Sequence, residues 1–339
     1  MAKMKMTCPH CGGSFDYPTR YRGSQISCPA CKQLVPLPRS GRIKFLIYLL
    51  APVVLMIAAI AWLVWPMGAH WPDHRPIGVL FLASDAHASV KNPRGWFNQD
   101  NLDVLGPGGQ EQFQKALMDY ADSSIAVLKR IGAQGVIVWD VEGEEYPHKT
   151  TFIGDPRLVN TLAPEMSPVV DEFFKKFRDA GFRVGVTIRP QQLIFDHGIP
   201  RQTAVFDING ILREKIDYAR TNWGATLFYI DSNYSFFRPD EVWQLRLLAA
   251  QRPDVLLIPE HHYFLYRAFS APFVPVQKSP DASHGGKKLF PGSFQALDIS
   301  DASPDQITAA WQGGDILLFR AWYWNDDCKM IETLKPTKL

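Results

Sequence analysis

Short apolar runs and longer amphipathic stretches follow one another along most of the chain. Seven apolar runs predict strands: Ile77–Ala83, Gly135–Trp139, Val184–Ile188, Thr226–Ile230, Val255–Ile258, Phe294–Ile299 and Ile316–Phe319. The amphipathic stretches predict helices: Glu111–Ile131, Ser167–Ala180, Ile208–Asn222, Pro239–Gln251 and Pro304–Gln312. This alternation predicts an α/β fold, a (β/α)8 barrel of the TIM type, with a doubly wound open sheet as the alternative.

The barrel needs an eighth strand, which we expect within residues 270–291, a stretch rich in Pro, Gly, Ser and Lys. No Gly-x-Gly-x-x-Gly motif follows any of the seven runs. The sequence therefore gives no support to dinucleotide binding.

One uncharged apolar run, from Phe45 to Trp65, precedes the barrel. As a helix it would be about 32 Å long, enough to cross the roughly 30 Å hydrocarbon layer of a bilayer. We predict a transmembrane helix over residues 43–66, with a buried core helix as the alternative. Lys32, Arg39, Arg42 and Lys44 precede this run, so the N-terminus is expected in the cytoplasm and the barrel outside.

The first 44 residues and the rest of the chain carry net charges of opposite sign. Of the 36 Lys and Arg, eight lie in residues 1–44 together with a single acid, Asp16, whereas the rest of the chain holds 28 basic and 33 acidic residues. A basic nucleic-acid-binding body is therefore not expected. We divide the chain into a zinc ribbon over 1–40, the transmembrane helix over 43–66, a barrel over 75–325 and a C-terminal tail over 326–339.

The N-terminal region contains two Cys-x-x-Cys knuckles, Cys8 with Cys11 and Cys28 with Cys31. Two such turns place four thiolates around one tetrahedral metal, and the spacing predicts a structural Zn²⁺ with no open ligand position. The alternatives are four incidental cysteines or two redox-active pairs.

The stretch CPHCGGSFDYPTRYRGSQISCPACKQLVPLP resembles the zinc ribbons at the N-termini of bacterial membrane proteins, although Lys32 stands where many of those have Gly. The resemblance implies Zn²⁺, a bacterial cytoplasmic membrane and a cytoplasmic protein partner of the ribbon. It does not imply catalysis.

Polar residues follow the predicted strands at the end where a TIM barrel has its active site. Asp231 and Glu260 are the candidate catalytic carboxylates, because one carboxylic acid can protonate a glycosidic oxygen while the other attacks or activates water. Sugar rings also stack on exposed aromatic rings. The candidate substrate-binding residues are Asp140, Glu142, Arg189, Asn233, His261, Asp298, Trp322 and Trp324.

The run FKKFRDAGFRVGVTIRP and the later TNWGATLFYIDSN resemble a pattern in retaining α-glycosidase barrels of the melibiase and α-glucosidase type. The resemblance implies that Asp231, which ends the fourth strand, is the nucleophile. In the melibiase and α-glucosidase type the acid/base ends strand six. In the α-amylase type it ends strand five, which would match Glu260, and a third acid on strand seven would match Asp298. Thr226 and Tyr229 depart from the family pattern.

We therefore expect a membrane-anchored, extracytoplasmic glycoside hydrolase whose barrel has no cofactor. Two alternatives remain. One is a catalytically inactive barrel that binds carbohydrate or cell-wall glycan and is coupled to the cytoplasmic ribbon. The other is a metal-dependent hydrolase that uses acids and histidines at the strand ends; its candidates are Asp85, His87, Asp140, His261 and His262.

Overall fold

A computed structural model of the chain describes residues 3–18, 24–37, 50–58, 61, 71–139, 154–234, 238–261, 263–275, 290–321 and 326–334. The chain divides into two compact units, Met1–Trp62 and Leu63–Leu339.

The first unit contains two small antiparallel hairpins. Strand β1 (Lys3–Thr7) pairs with β2 (Ser14–Pro18), and β3 (Gln25–Ser27) pairs with β4 (Leu34–Pro36). Each hairpin turn contains one of the Cys-x-x-Cys knuckles, and Cys8, Cys28 and Val35 form the small core.

Most of the predicted transmembrane helix, residues 43–66, lies outside the described residues. Residues 50–58 are helical, and their apolar side chains are exposed, Leu55 to 69%. Among the described residues, no helix has the length and apolar character needed to cross a membrane.

The second unit is built on a parallel sheet of eight strands, with an additional hairpin. In chain order the ten strands of the described residues are β5 (Ile77–Leu80), β6 (Gly135–Val138), β7 (Arg183–Ile188), β8 (Gln192–Asp196), β9 (Ile199–Thr203), β10 (Leu227–Ile230), β11 (Leu256–Pro259), β12 (Phe273–Pro275), β13 (Ala296–Asp298) and β14 (Ile316–Arg320). The order in the sheet is β11-β10-β7-β6-β5-β14-β13-β12, and every pair is parallel. Hairpin β8–β9 is antiparallel and lies outside this sheet.

This strand order is that of a (β/α)8 barrel, because sequential strands are neighbours and the last strand returns to the first. The two edge strands, β11 and β12, approach each other as well: the backbone N–H of Ala271 donates to the carbonyl of Leu257 at 3.0 Å. The predicted barrel is thus confirmed as a nearly closed ring of eight parallel strands. The expected eighth strand is β12, inside residues 270–291.

The described part of the second unit contains seven α-helices: α1 (Gly109–Ile131), α2 (Val159–Leu162), α3 (Val170–Asp179), α4 (Ile208–Trp223), α5 (Pro239–Gln251), α6 (Pro304–Gln312) and α7 (Asp326–Leu334). The five predicted amphipathic stretches correspond to α1 and to α3 through α6, whereas α2 and α7 are not predicted. Side-chain caps fix two of the starts: Asp207 accepts from the N–H of Gly210, and Ser303 forms a capping box with Gln306.

Helix α7 corrects the prediction of a C-terminal tail over 326–339. It packs against α1 and α6 and buries Cys328 and Ile331. These residues close the outer layer beside β14, which makes 326–334 part of the barrel unit.

Strand residues alternate between two cores. In β10, Leu227 and Tyr229 belong to the cluster inside the barrel, whereas Phe228 and Ile230 pack in the larger cluster between strands and helices. In β14 the inward residues are Ile316 and Leu318. Because side chains alternate along a strand, the next inward positions lie at the carboxyl end, at the mouth of the barrel.

Candidate active site and candidate metal centre

Among the described residues, five charged ones occupy inward positions at the barrel mouth. The strand alternation places Asp231 two residues after Tyr229, Glu260 two after Ile258 and Arg320 two after Leu318. Arg189 and Asp298 reach the mouth in the same way from β7 and β13. The sequence predicts four of the five as site residues, and the fold brings them to one end of one barrel.

Arg189 and Asp231 form an ion pair across neighbouring strands. Nε of Arg189 donates to Oδ2 of Asp231 at 2.5 Å, and only 7% of the arginine side chain is exposed. Gly154, with φ +91°, lies against the arginine: a Cβ there would be 3.1 Å from Cδ of Arg189. The guanidinium is therefore held in one place beside the Asp231 carboxylate.

Glu260 is held on the other side of Asp231. Its Oε2 accepts the backbone N–H of Ser232 at 2.8 Å, and 30% of its side chain is exposed. Burial raises the pKa of the Glu260 carboxyl to about 7, and the charge of Asp231 and a hydrogen bond between the two carboxyl groups contribute to this shift. Near neutral pH, Glu260 can therefore hold a proton beside Asp231.

Aromatic rings form the floor below these carboxyl groups. The ring centroids of Trp139 and Tyr229 lie 3.6 Å apart, and Phe273 is 5.6 Å from each. Burial, followed by the charges of Glu260, Asp231 and Asp298, raises the pKa of Tyr229 well above its usual value. The three carboxyl groups therefore stand close above an apolar surface of the kind on which sugar rings stack.

Asp298 and Arg320 are joined through a serine on the far side of the mouth. Oδ1 of Asp298 accepts from the N–H of Ser300 at 3.0 Å and from its hydroxyl at 2.8 Å. Nε of Arg320 donates to Oγ of Ser300 at 3.1 Å. Sequence reasoning missed Ser300, which is an ordinary loop serine until the fold places β13 beside β14.

Asn233 and His261 join the ends of β10 and β11. Oδ1 of Asn233 accepts the backbone N–H of His261 at 3.0 Å, and Nε2 of His261 lies 3.7 Å from Oε2 of Glu260. Asn233 is only 2% exposed and its amide also donates to Glu241 at 3.3 Å. Asn233 therefore connects the loops that follow β10 and β11, and its role in substrate binding stays a prediction.

Two fully buried groups missed by the sequence analysis complete this support. Glu241 accepts the hydroxyl of Tyr266 at 2.5 Å and the N–H of Tyr234 at 3.2 Å. Both Glu241 and Tyr266 are nearly inaccessible to solvent. In the sequence they resemble exposed residues of a helix and a loop, and only the tertiary contacts reveal their position.

Lys215 supports the loop that presents Arg189. Its ammonium group donates to the carbonyls of Gly154, Arg189 and Gln191, each at 2.8 Å, and its side chain is 1% exposed. Burial lowers the pKa of Lys215 to about 8, while Asp155, 3.7 Å away, acts in the opposite direction. This lysine also gave no signal in the sequence, since an amphipathic helix normally exposes its lysines.

Four predicted substrate-binding residues, Asp140, Glu142, Trp322 and Trp324, lie outside the described residues. The metal-dependent alternative is tested only in part, because Asp140 and His262 and the side chain of Asp85 also lie outside them. Within the described part, the only group of three or more potential metal ligands is the N-terminal cysteine cluster.

The cysteine cluster has the geometry of a metal site. The sulfur atoms of Cys8, Cys11, Cys28 and Cys31 all lie within 4.8 Å of one another, and the Cys8–Cys31 and Cys11–Cys28 separations are 3.7 Å. Metal–sulfur bonds of about 2.3 Å in a tetrahedron require sulfur separations of about 3.8 Å. The four thiols therefore fit a single metal such as zinc.

Comparison with known proteins gives fold-level similarities at low identity. The sequence matches no protein-family profile and no curated protein sequence. Three similar solved structures are a GH29 α-L-fucosidase from Bacteroides thetaiotaomicron (12% identity, 78% of this chain, 72% of that chain, TM-score 0.45), an α-L-fucosidase from Lactobacillus casei (12%, 82%, 97%, 0.42), and the galactosidase domain of an α-galactosidase–sucrose kinase (11%, 81%, 42%, 0.46). Because each TM-score lies below 0.5, the fold assignment rests on the strand order and pairing described above.

Proposed function

We propose that the barrel is a glycoside hydrolase that uses Asp231 and Glu260 as its carboxylate pair. The observation that carries this proposal is the difference between two adjacent carboxyl groups at one barrel mouth. Asp231 is ion-paired with Arg189, whereas burial and the nearby charge of Asp231 raise the pKa of Glu260 to about 7. Acid-assisted glycosidic cleavage uses a carboxylic acid that is protonated near neutral pH together with a second carboxyl group.

In this reaction Glu260 donates its proton to the glycosidic oxygen as the leaving group departs. Asp231, which is ion-paired with Arg189, attacks the anomeric carbon or stabilises its developing positive charge, and water then takes up the sugar and returns a proton to Glu260. The ion pair with Arg189 and the N–H of Ser232 fix the two carboxyl groups before substrate arrives. The half-buried ring of Trp139, which packs against the buried Tyr229, offers an apolar face to the sugar ring.

Kinetics of single variants on aryl glycosides test the pair. Asp231→Asn and Glu260→Gln should each lower kcat by at least about a hundredfold. Glu260→Gln should lose less on a substrate with an activated leaving group, which needs little protonation. The matched control is Asp305→Asn in the exposed first turn of α6, and circular dichroism checks the fold of each variant.

Near-wild-type turnover by Asp231→Asn would remove that residue from the mechanism. An equal loss for Glu260→Gln on both leaving groups would remove Glu260 as the acid. If the wild type turns over no aryl glycoside but still binds sugars, the inactive carbohydrate-binding barrel becomes the better explanation.

We place this enzyme on a single-pass anchor in a bacterial cytoplasmic membrane, with a Zn²⁺ ribbon and its protein partner inside. Support comes from the uncharged run Phe45–Trp65, the basic residues before it and the exposed apolar side chains of 50–58. Protease added to spheroplasts should digest the chain beyond about residue 70 and spare the ribbon. Digestion of the ribbon instead would contradict this orientation.

A further inference from the structure

Arg320 lies opposite the carboxylate pair. In the ring of strands, β14 is four positions from β10, halfway around an eight-stranded barrel. Asp231 ends β10 and Arg320 ends β14, and both occupy inward positions at the same end. A sugar ring between them would meet Asp231 on one side and Arg320 on the other.

The guanidinium of Arg320 is oriented but not ion-paired within the described part of the chain. Its Nε donates to Oγ of Ser300, and the hydroxyl of Ser300 donates in turn to Asp298. Arg189, in contrast, reaches Asp231 directly. With Nε engaged, the two terminal nitrogens of Arg320 form a planar fork that suits a carboxylate or a sulfate.

The other acids that the structure describes at the mouth are occupied in different ways. Asp231 is taken by Arg189, and Oδ1 of Asp298 is taken by the backbone and side chain of Ser300. Glu260 lies beside Asp231 and accepts the N–H of Ser232. A half-buried arginine is more stable with an anion at its fork, because desolvation without a partner is costly.

From this arrangement we infer that the sugar bound at the mouth is acidic, with a carboxylate or sulfate substituent that Arg320 holds opposite the scissile bond. The inference rests on the proposed function for the location of the sugar. It concerns binding, so it is tested separately from turnover.

The experiment measures dissociation constants of the full-length protein for matched monosaccharides. D-Glucuronate and D-galacturonate are compared with D-glucose and D-galactose, and the 6-sulfates of both neutral sugars form a separate arm. At least one acidic form should bind tenfold or more tightly than its neutral counterpart, and this ratio should fall as salt is added. The arm that shows the preference identifies the substituent as carboxylate or sulfate.

Variants assign the preference to Arg320. Arg320→Gln should reduce the acidic-to-neutral ratio to about one, whereas Arg320→Lys should keep part of it because the charge remains without the fork. Ser300→Ala should lower the ratio partially, since it removes the group that orients Nε. Arg213→Gln, on the exposed side of α4, makes the same charge change elsewhere and should leave the ratio unchanged.

Equal binding of acidic and neutral sugars, absence of binding by any acidic sugar, or an unchanged ratio in Arg320→Gln would overturn the inference. The fate of the proposed hydrolase is read from a different measurement. If no aryl glycoside is cleaved while the acidic preference and its dependence on Arg320 remain, the hydrolase proposal fails and the acidic ligand stands.

Discussion

Asp231 and Glu260 follow neighbouring parallel strands, and burial together with the charge of Asp231 raises the pKa of Glu260. This relationship depends on the register of β10 and β11, in which Ile230 is paired with Pro259. The residues after this pair are the two carboxylic acids. A shift of one residue in either strand would turn one of them away from the mouth.

The pH dependence of activity follows from this pair. Since the Glu260 pKa is about 7, the acid is protonated below that pH and loses its proton above it. Turnover of a substrate with a poor leaving group should therefore fall tenfold for each pH unit above about 7. A substrate with an activated leaving group should show a weaker alkaline decline, and identical profiles for both would contradict the role of Glu260.

The same shift makes a prediction about stability. The pKa of Glu260 rises from 4.5 to about 7 on folding, so the folded protein binds this proton more tightly than the unfolded chain. Its contribution to the free energy of unfolding is full below pH 4.5 and is lost as the pH rises towards 7. Glu260→Gln should therefore be more stable than the wild type at pH 8, by about 1–2 kcal/mol after allowance for solvent exposure, and not at pH 4.5. Denaturant unfolding at both pH values measures this difference, and an equal effect at both would contradict the shift.

Arg189 should be more important for catalysis than for folding. Arg189→Met removes the hydrogen bond to Asp231 and the charge that lowers the pKa of Glu260. We expect kcat to fall by about a hundredfold or more and the alkaline decline of activity to move above pH 7. Arg189→Lys should recover only part of kcat, because an ammonium cannot reproduce the planar guanidinium. An alkaline decline that stays at pH 7 in Arg189→Met would show that its charge does not act on Glu260.

The barrel can be predicted from the sequence because short apolar runs alternate with amphipathic stretches. The positions of Arg189, Asp231, Glu260 and Asp298 at one end of the barrel can also be predicted, because polar residues at the carboxyl ends of parallel strands meet at one edge; the roles of these residues stay predictions. Hairpin β8–β9 is not predicted from the sequence. In the structure, His197 and Gly198 form its loop, and both have positive φ, as a two-residue hairpin loop requires.

The supporting residues could not be found in this way. Asn233 and Tyr266 are 33 positions apart in the chain, and Lys215 contacts the carbonyl of Gly154 across 61 positions. Their burial is created by the packing of helices on the barrel, and a local hydropathy pattern contains no information on it. Arg320 was visible at the end of the last strand, but its orientation depends on Ser300 in the neighbouring loop.

Lys215 should prove essential for stability. Lys215→Met keeps most of the buried aliphatic volume but removes the ammonium group that donates to three carbonyls, which should cost about 3 kcal/mol of unfolding free energy. Lys175→Met on α3, where the lysine is 62% exposed, is the matched control and should change stability by less than about 0.5 kcal/mol. Denaturant titration measures both, and similar values for the two variants would contradict the role of Lys215.

The two cysteine knuckles provide a prediction about metal affinity. After the second cysteine of each knuckle the chain takes up a left-handed conformation, at Gly12 with φ +71° and at Lys32 with φ +59°. The N–H of each of these residues donates to the carbonyl of the first cysteine, at 2.9 and 2.8 Å. A non-glycine residue in this region costs about 1 kcal/mol. Because metal binding and folding of such a small unit are coupled, this cost should appear in the metal affinity.

Gly12→Ala should therefore weaken Zn²⁺ binding by about fivefold, which corresponds to about 1 kcal/mol. Nothing lies within 4 Å of a Cβ at Gly12, so the loss comes from the backbone conformation and not from a clash. Lys32→Gly should tighten binding by about two- to fivefold, the gain being reduced by the greater flexibility of glycine in the unfolded chain. Lys32→Ala removes the same charge but keeps the left-handed strain, so the difference between these two variants isolates the backbone effect. Competition of the full-length protein with a chelator of known affinity measures all four proteins. Equal affinities of Lys32→Gly and Lys32→Ala would show that the conformation of the second knuckle is not coupled to metal binding.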